Sequence, residues 1–185
     1  ETPWGGWTVF QRRQDGSVDF YRNWSEYKNG FGDLQGEFWL GLDRIHRLTN
    51  AVAMELRVDL EADAGETAHA QYGHFSVSAE SDKYRLSVGG YYGTAGDSPT
   101  FHNNYMFTTK YIDNDERERE FIKSCAVQYK GAWWYKNCHR ANLNGFYHKK
   151  RRIFEADGVS WTTWKGLYYS LSCTAMKLRP QGLAP

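Results

Sequence analysis

The chain has 185 residues, 41% hydrophobic and 17% aromatic, with a formal net charge of +1. That is enough for one domain with a substantial core, and the charge gives no reason to expect nucleic acid as a partner. No apolar run approaches the ~20 residues of a membrane span and no leader-type segment opens the sequence, so a mature protein or an excised piece, without membrane insertion, is expected.

Taken in order, Trp7 to Arg12 alternates apolar and polar residues among β-formers and predicts a strand, turned by Asp15-Gly16. Ser25 is placed to cap a short helix through Tyr27 that stops near Gly30. Asn23-Trp24-Ser25 is a glycosylation sequon at Asn23, usable if the protein is secreted and the site exposed. Leu42, Ile45 and Leu48 with Asp43 early predict a short amphipathic helix.

Met54, Leu56, Val58 and Leu60 alternate with Glu55, Arg57 and Asp59, the pattern of a half-buried strand. Strands over 67–72, 75–78 and 84–88 are expected to continue it as an antiparallel meander. From Gly89 the periodicity fades into Gly-, Asn- and Pro-rich loops, and a last strand is expected over 168–177. The fold class read from this is α+β. A single domain spans 1–185, with a twisted antiparallel sheet from about 1–88 plus 168–180 and a loop-rich, disulfide-stapled binding subdomain over about 89–167.

The loop-rich part carries Cys125-Ala-Val-Gln-Tyr-Lys-Gly-Ala-Trp-Trp-Tyr-Lys-Asn-Cys138. In an oxidising compartment Cys125 and Cys138 can close a ring worth roughly 3 kcal/mol in the chain-entropy model. Cys173 is left over, read as a buried free thiol, with an intermolecular disulfide as the alternative. Trp133 and Trp134 are read as core, whereas Tyr129 and His139, flanking the ring, are read as ligand-site residues on a solvent-reaching loop.

This segment, continued through His139-Arg-Ala-Asn-Leu-Asn-Gly145, resembles the signature of the fibrinogen-like domain. Gly5-Gly-Trp-Thr-Val-Phe-Gln-Arg-Arg13, Glu37-Phe-Trp-Leu-Gly-Leu42, Tyr92-Gly-Thr-Ala-Gly-Asp97 and Met176-Lys-Leu-Arg-Pro180 carry the likeness along nearly the whole sequence. The resemblance implies that the last strand returns to the sheet of the first half and that the Asn137–Cys138 peptide is cis. It also implies an N-terminal disulfide subdomain that is trimmed or absent here.

Lectin-like members bind acetyl groups beside the cysteine ring, at positions that fall on Tyr129, His139, Glu155, Ala156 and Leu167. Tyr129, His139 and Ala156 match that pattern, while Glu155 and Leu167 stand where aromatics are usual. A re-specified pocket follows, one that takes a cationic or polyhydroxyl ligand, or else an apolar wall kept by Leu167 with Glu155 in solvent. The family's calcium site is implied to be weakened, because Tyr111 replaces its first Asp; Asp113 and Asp115 remain as candidate ligands, with Glu116 able to contribute to a shifted site. The alternating Glu and Arg that follow, 116–120, suit a solvated helix or arm.

His148-Lys-Lys-Arg-Arg152 is the strongest charge run, either a solvated loop or a grip for anionic glycans through Lys149, Lys150, Arg151 and Arg152. Enzymatic readings find no Gly-x-Ser-x-Gly, P-loop, His-Glu-x-x-His or Cys-x-x-Cys, and a bridged Cys138 offers no thiolate. His69 and His74 lack acidic or Cys partners in sequence for a metal. The expectation is a secreted, extracellular, non-enzymatic module that binds glycans or acetylated groups in the manner of an innate-immune lectin. The alternative is a matrix or signalling ligand for a protein receptor, and in either case a multimeric full-length protein is expected.

Overall fold

The computed structural model describes residues 6–118 and 123–182. Strands β1 (Thr8–Arg13), β2 (Phe31–Gly32), β3 (Phe38–Trp39), β4 (Met54–Glu61), β5 (Thr67–Val77), β6 (Leu86–Gly93) and β9 (Cys173–Pro180) form one antiparallel sheet in the order β2-β3-β1-β9-β4-β5-β6. The C-terminal strand β9 therefore sits in the middle, pairing with β1 and with β4.

Alternation decides the two faces. Met54, Leu56, Val58 and Leu60 of β4 and Met176 and Leu178 of β9 are buried. The opposite face is laced by Arg57–Asp59, Lys177–Asp59 and Arg179–Glu55 ion pairs, which satisfy a wet surface without adding much stability. Helix α2 (Leu42–Ala51) buries Leu42, Ile45 and Thr49. Its His46 Nδ1 lies 2.8 Å from the Val77 carbonyl, and Thr49 Oγ1 accepts the Val77 amide at 3.1 Å, docking the helix on β5.

Several boundaries differ from expectation for local reasons. Helix α1 (Trp24–Asn29) is capped by Asn23 rather than Ser25: Asn23 Oδ1 accepts the Glu26 amide and Glu26 reaches back to the Asn23 amide, a capping box. Gly30 at φ 94° ends it. The expected strands at 67–72 and 75–78 are one continuous β5. Tyr84, at φ 51°, turns the backbone instead of opening β6, whose pairing runs on to Gly93. The stretch 168–172 is turn and loop, and β9 starts only at Cys173.

The remainder, up to β9, holds only the short helices α3 (Cys125–Gln128) and α4 (Thr162–Lys165) and the two-residue strands β7 (Ala141–Asn142) and β8 (Ser160–Trp161), besides single turns, among the described residues. Side chains replace regular pairing there. His102 is fully buried: Nδ1 donates to the Trp134 carbonyl at 2.8 Å, and Nε2 accepts the Arg140 and Ala141 amides at 3.1 Å. Trp134 Nε1 donates to the Tyr84 carbonyl and Trp161 Nε1 to that of Ala95. Trp133 and Trp134 are core, as read from sequence, and Trp134 packs on Trp39, Phe75 and Phe107. One hydrophobic cluster thus runs through the sheet half and the loop half.

Candidate ligand-binding site

The site is built around the Cys125–Cys138 bridge, with S–S 2.08 Å and Cα–Cα 5.5 Å. Ser124 caps α3 through the Val127 amide, and the helix ends at Tyr129, whose amide donates to the Cys125 carbonyl at 2.9 Å. Asn142 Nδ2 donates to the Tyr129 carbonyl at 3.1 Å and to that of Gly158 at 3.2 Å, tying the ring to the 154–158 loop. The Asn137–Cys138 peptide is cis, as the resemblance implied.

Between these segments lies a groove of about 480 Å³, lined by Tyr129, Lys130, Phe154, Glu155, Ala156 and Tyr168 together with Lys123, Val127 and Gln128. Three of the five residues read from sequence, Tyr129, Glu155 and Ala156, are brought together there. His139 is not on the solvent-reaching loop expected of it. It is 8% exposed beneath the groove, with its ring 4.5 Å from that of Tyr129 in an edge-on contact. Its Nε2–H donates to the Ala156 carbonyl at 2.9 Å, which fixes the tautomer. Burial pushes its pKa down to about 4, so it is a neutral strut that sets the height of Ala156 and backs Tyr129. Leu167 is half-buried and absent from the groove wall, where its neighbour Tyr168 stands instead.

Electrostatically the groove rests on Asp157, which is buried and bonded to Lys130 Nζ at 2.7 Å and His148 Nε2 at 2.6 Å. Lys130 is raised in pKa, first by its hydrogen bond to Asp157, and also lies 3.5 Å from Glu155. Glu155 is 73% exposed at the rim, and Phe154 beside it is fully exposed at 101%. Sequence reasoning missed Lys130, Phe154 and Tyr168. Phe154 did leave a signal, an aromatic close behind a basic run, where nothing local would bury it.

The basic run divides. Lys149, Lys150 and Arg152 are exposed, whereas Arg151 is drawn in, donating to the Leu171 carbonyl at 2.8 Å and pairing with Asp63 at 3.3 Å. Lys150, Arg152 and His148 line a second cleft of about 420 Å³ across the Phe154–Glu155 ridge.

For calcium, the carboxylates of the 107–117 loop are already engaged. Asp113 Oδ1 accepts the Asp115 amide at 3.1 Å, and the two Asp115 oxygens accept the Arg117 and Cys125 amides at 2.9 and 2.8 Å. Tyr111 projects, 75% exposed, from the tip of a tight Thr109–Ile112 turn. Among the described residues no three of His, Cys, Asp and Glu converge on a metal position. Asp113 and Asp115 are the carboxylates that would hold a calcium ion here, together with backbone carbonyls. The middle of the Glu/Arg arm, 119–122, lies outside the described residues. Cys173 is free, as expected, but half-buried rather than buried, with burial raising its thiol pKa.

Asn23, the sequon residue, spends its side-chain oxygen on the α1 cap. No helix among the described residues is long and apolar enough to cross a membrane.

A sheet with its C-terminal strand in the centre, carrying a disulfide-stapled loop half whose side chains wall a groove, is the architecture of a globular recognition domain. Residues 1–181 match the family of C-terminal globular domains found in the beta and gamma chains of fibrinogen. The protein belongs to that family, whose members are non-enzymatic recognition domains. It is 53% identical over 184 residues to Fibrinogen C domain-containing protein 1 of Homo sapiens, covering 97% of this sequence and 39% of that protein. It is 50% identical over 179 residues to Tenascin-R of Homo sapiens, covering 97% of this sequence and 13% of the relative. The fibrinogen-like globe domain of human ANGPTL2 superposes with a TM-score of 0.91 at 45% identity, covering 97% of this sequence and 82% of the other. The protein thus spans well under half the length of Fibrinogen C domain-containing protein 1 and of Tenascin-R.

Proposed function

We propose that the groove between the Cys125–Cys138 ring and the 154–158 loop recognises acetylated or otherwise uncharged sugar units of extracellular glycans. The observation that carries this reading is the apolar cup of Tyr129, Ala156 and Tyr168 held rigid from below by His139. A rigid cup avoids the roughly 0.5–1.5 kcal/mol lost for each side chain immobilised on binding, and aromatic faces supply contact area for a sugar ring or an acetyl methyl. Nε2 of His139 is committed to Ala156 and its Nδ1 is buried, so the polar contacts to a ligand are assigned to backbone amides and to Glu155. Lys149, Lys150 and Arg152 extend the reading to anionic glycans, and the bridged cysteines fit a secreted, oxidising setting. Weak single sites of this kind act through multimers of the full-length protein.

A second reading, a ligand for a protein receptor, is favoured by one observation. Phe154 and Tyr168 stand exposed together on the groove wall, as aromatic anchors of protein interfaces do.

A glycan array with competition by N-acetylated sugars tests the choice. Tyr129→Ala is expected to cost about 2 kcal/mol of glycan affinity, and Glu155→Tyr to strengthen binding of N-acetylated sugars. If Glu155→Tyr folds normally and acetylated sugars still fail to bind, the glycan reading falls and the receptor reading takes its place.

A further inference from the structure

Arg13 is the most deeply buried cation among the described residues, at 1% exposure, and it is only half used. Its Nη1 donates to the Leu143 and Gly145 carbonyls at 2.9 and 2.8 Å. Its Nε has no hydrogen-bond partner among the described residues. The nearest carboxylate, Glu37, lies 3.8 Å from Nε. Glu37 is itself consumed: Oε1 accepts the amides of Gln14, Asp15 and Gly16, and Oε2 that of Val18. A buried charge normally needs a full complement of partners. The shortfall shows in a guanidinium pushed down to about 10 by desolvation.

The guanidinium lies against the wall of a pocket of about 280 Å³ between the 16–21 loop and Gly145–Tyr147. It stacks 4.0 Å over the Phe20 ring. Phe146 and Val18 provide apolar walls, and Lys130, whose Nζ already pairs with Asp157 at 2.7 Å, stands in the lining of this pocket and of the ligand groove alike. One acidic side chain, Asp19, also lines it, its Oδ1 accepting the Tyr21 amide at 2.8 Å.

We propose that this pocket is a second subsite that takes the carboxylate of an acidic sugar whose neighbouring unit occupies the Tyr129 groove, the carboxylate pairing with Arg13 and Lys130. A carboxylate suits it better than a sulfate or phosphate: it is planar like the guanidinium edge, and with Asp19 present a single negative charge is repelled less than a double one. The proposal rests on the glycan reading of the groove, which it deepens to glycans pairing an N-acetylated and a carboxylated unit.

The test compares a hyaluronan tetrasaccharide, which alternates N-acetylglucosamine and glucuronate, with its carboxyl-reduced form. The acidic form is expected to bind about tenfold more tightly, and the difference to shrink as salt is raised. Arg13 itself braces the fold, so the variants are made at the pocket lining. Asp19→Asn keeps the acceptor for Tyr21 and is expected to tighten only the acidic form, whereas Val18→Glu abolishes the difference and leaves the reduced form bound. In parallel, the Arg13 Nε–H resonance is followed while glycolate is added, and is expected to shift saturably.

Equal affinities with no effect of Asp19→Asn overturn the subsite and leave the glycan reading standing. A saturable glycolate shift with no binding of either tetrasaccharide supports the anion pocket and removes the glycan reading of the groove. An unshifted Arg13 resonance overturns the pocket outright.

Discussion

His139 and His102 show how position overrides residue type. Both are buried and neutral, pushed down to about 4 and about 3 by desolvation, and both bond backbone groups that hold the loop half together, His102 through both ring nitrogens and His139 through Nε2. Their folded-state values lie below the ordinary histidine value near 6.5, so the unfolded state binds protons first on acidification. The stability this contributes is fully present above about pH 6.5 and is lost as pH falls, by up to about 3 kcal/mol per histidine by about pH 4. Urea midpoints measured from pH 7 to 4.5 are expected to fall steeply, and His139→Gln to flatten the slope. A midpoint that stays level over that range refutes the assignment. At the same scale the sequence pointed to Leu167 while the wall residue is Tyr168, because a turn of irregular backbone has no periodicity to say which neighbour faces the groove.

At the scale of elements, local chemistry was legible wherever it repeats. The two-residue alternation of β4 and the 42/45 spacing of α2 appear in the structure as read. The boundaries were not, since β5 is one strand only because β4 and β6 pair with it across its whole length. The 107–117 loop is the clearest departure from a family pattern at this scale. Its carboxylates clasp the amides of Cys125 and Arg117, and Tyr111 sits at a turn tip. Burial raises the Asp115 carboxyl pKa, and the amide hydrogen bonds from Cys125 and Arg117 oppose that rise. Added calcium is therefore expected to move Tm little; a large EDTA-reversible rise at sub-millimolar calcium would show that Asp113 and Asp115 rebuild a site. For α1, Asn23→Ala removes a capping box and is expected to cost about 1 kcal/mol in chemical denaturation. An unchanged midpoint would mean the cap does not hold the helix.

For the molecule as a whole, the sheet and the loop half share one core, with Trp134 and Phe107 packed against Trp39 and Phe75, and Gln11 Nε2 and Arg13 Nη1 bonded to the Leu143 carbonyl. Neither half has a separate interior to retain. Tryptophan fluorescence and amide exchange are expected to report one coincident unfolding transition; an early transition confined to residues 94–172 would show the loop half to be an independent unit.

By itself, the sequence determined the family, the α+β class, the pairing of Cys125 with Cys138 and the burial of Trp133 and Trp134. These rest on motifs, short-range periodicity and residue chemistry, all of which survive as a string of letters. The tertiary structure alone decided that His139 is buried with its Nε2 bonded to Ala156, that Arg151 is withdrawn from the basic run while Lys150 and Arg152 remain, that Tyr168 and Phe154 wall the groove, and that Arg13 lines a pocket with its Nε unpartnered. Each of those outcomes depends on partners more than ten residues away in sequence, brought together by the insertion of β9 between β1 and β4 and by loops held through side chains. In such loops it is the distant partner, not the local sequence, that sets where a side chain points.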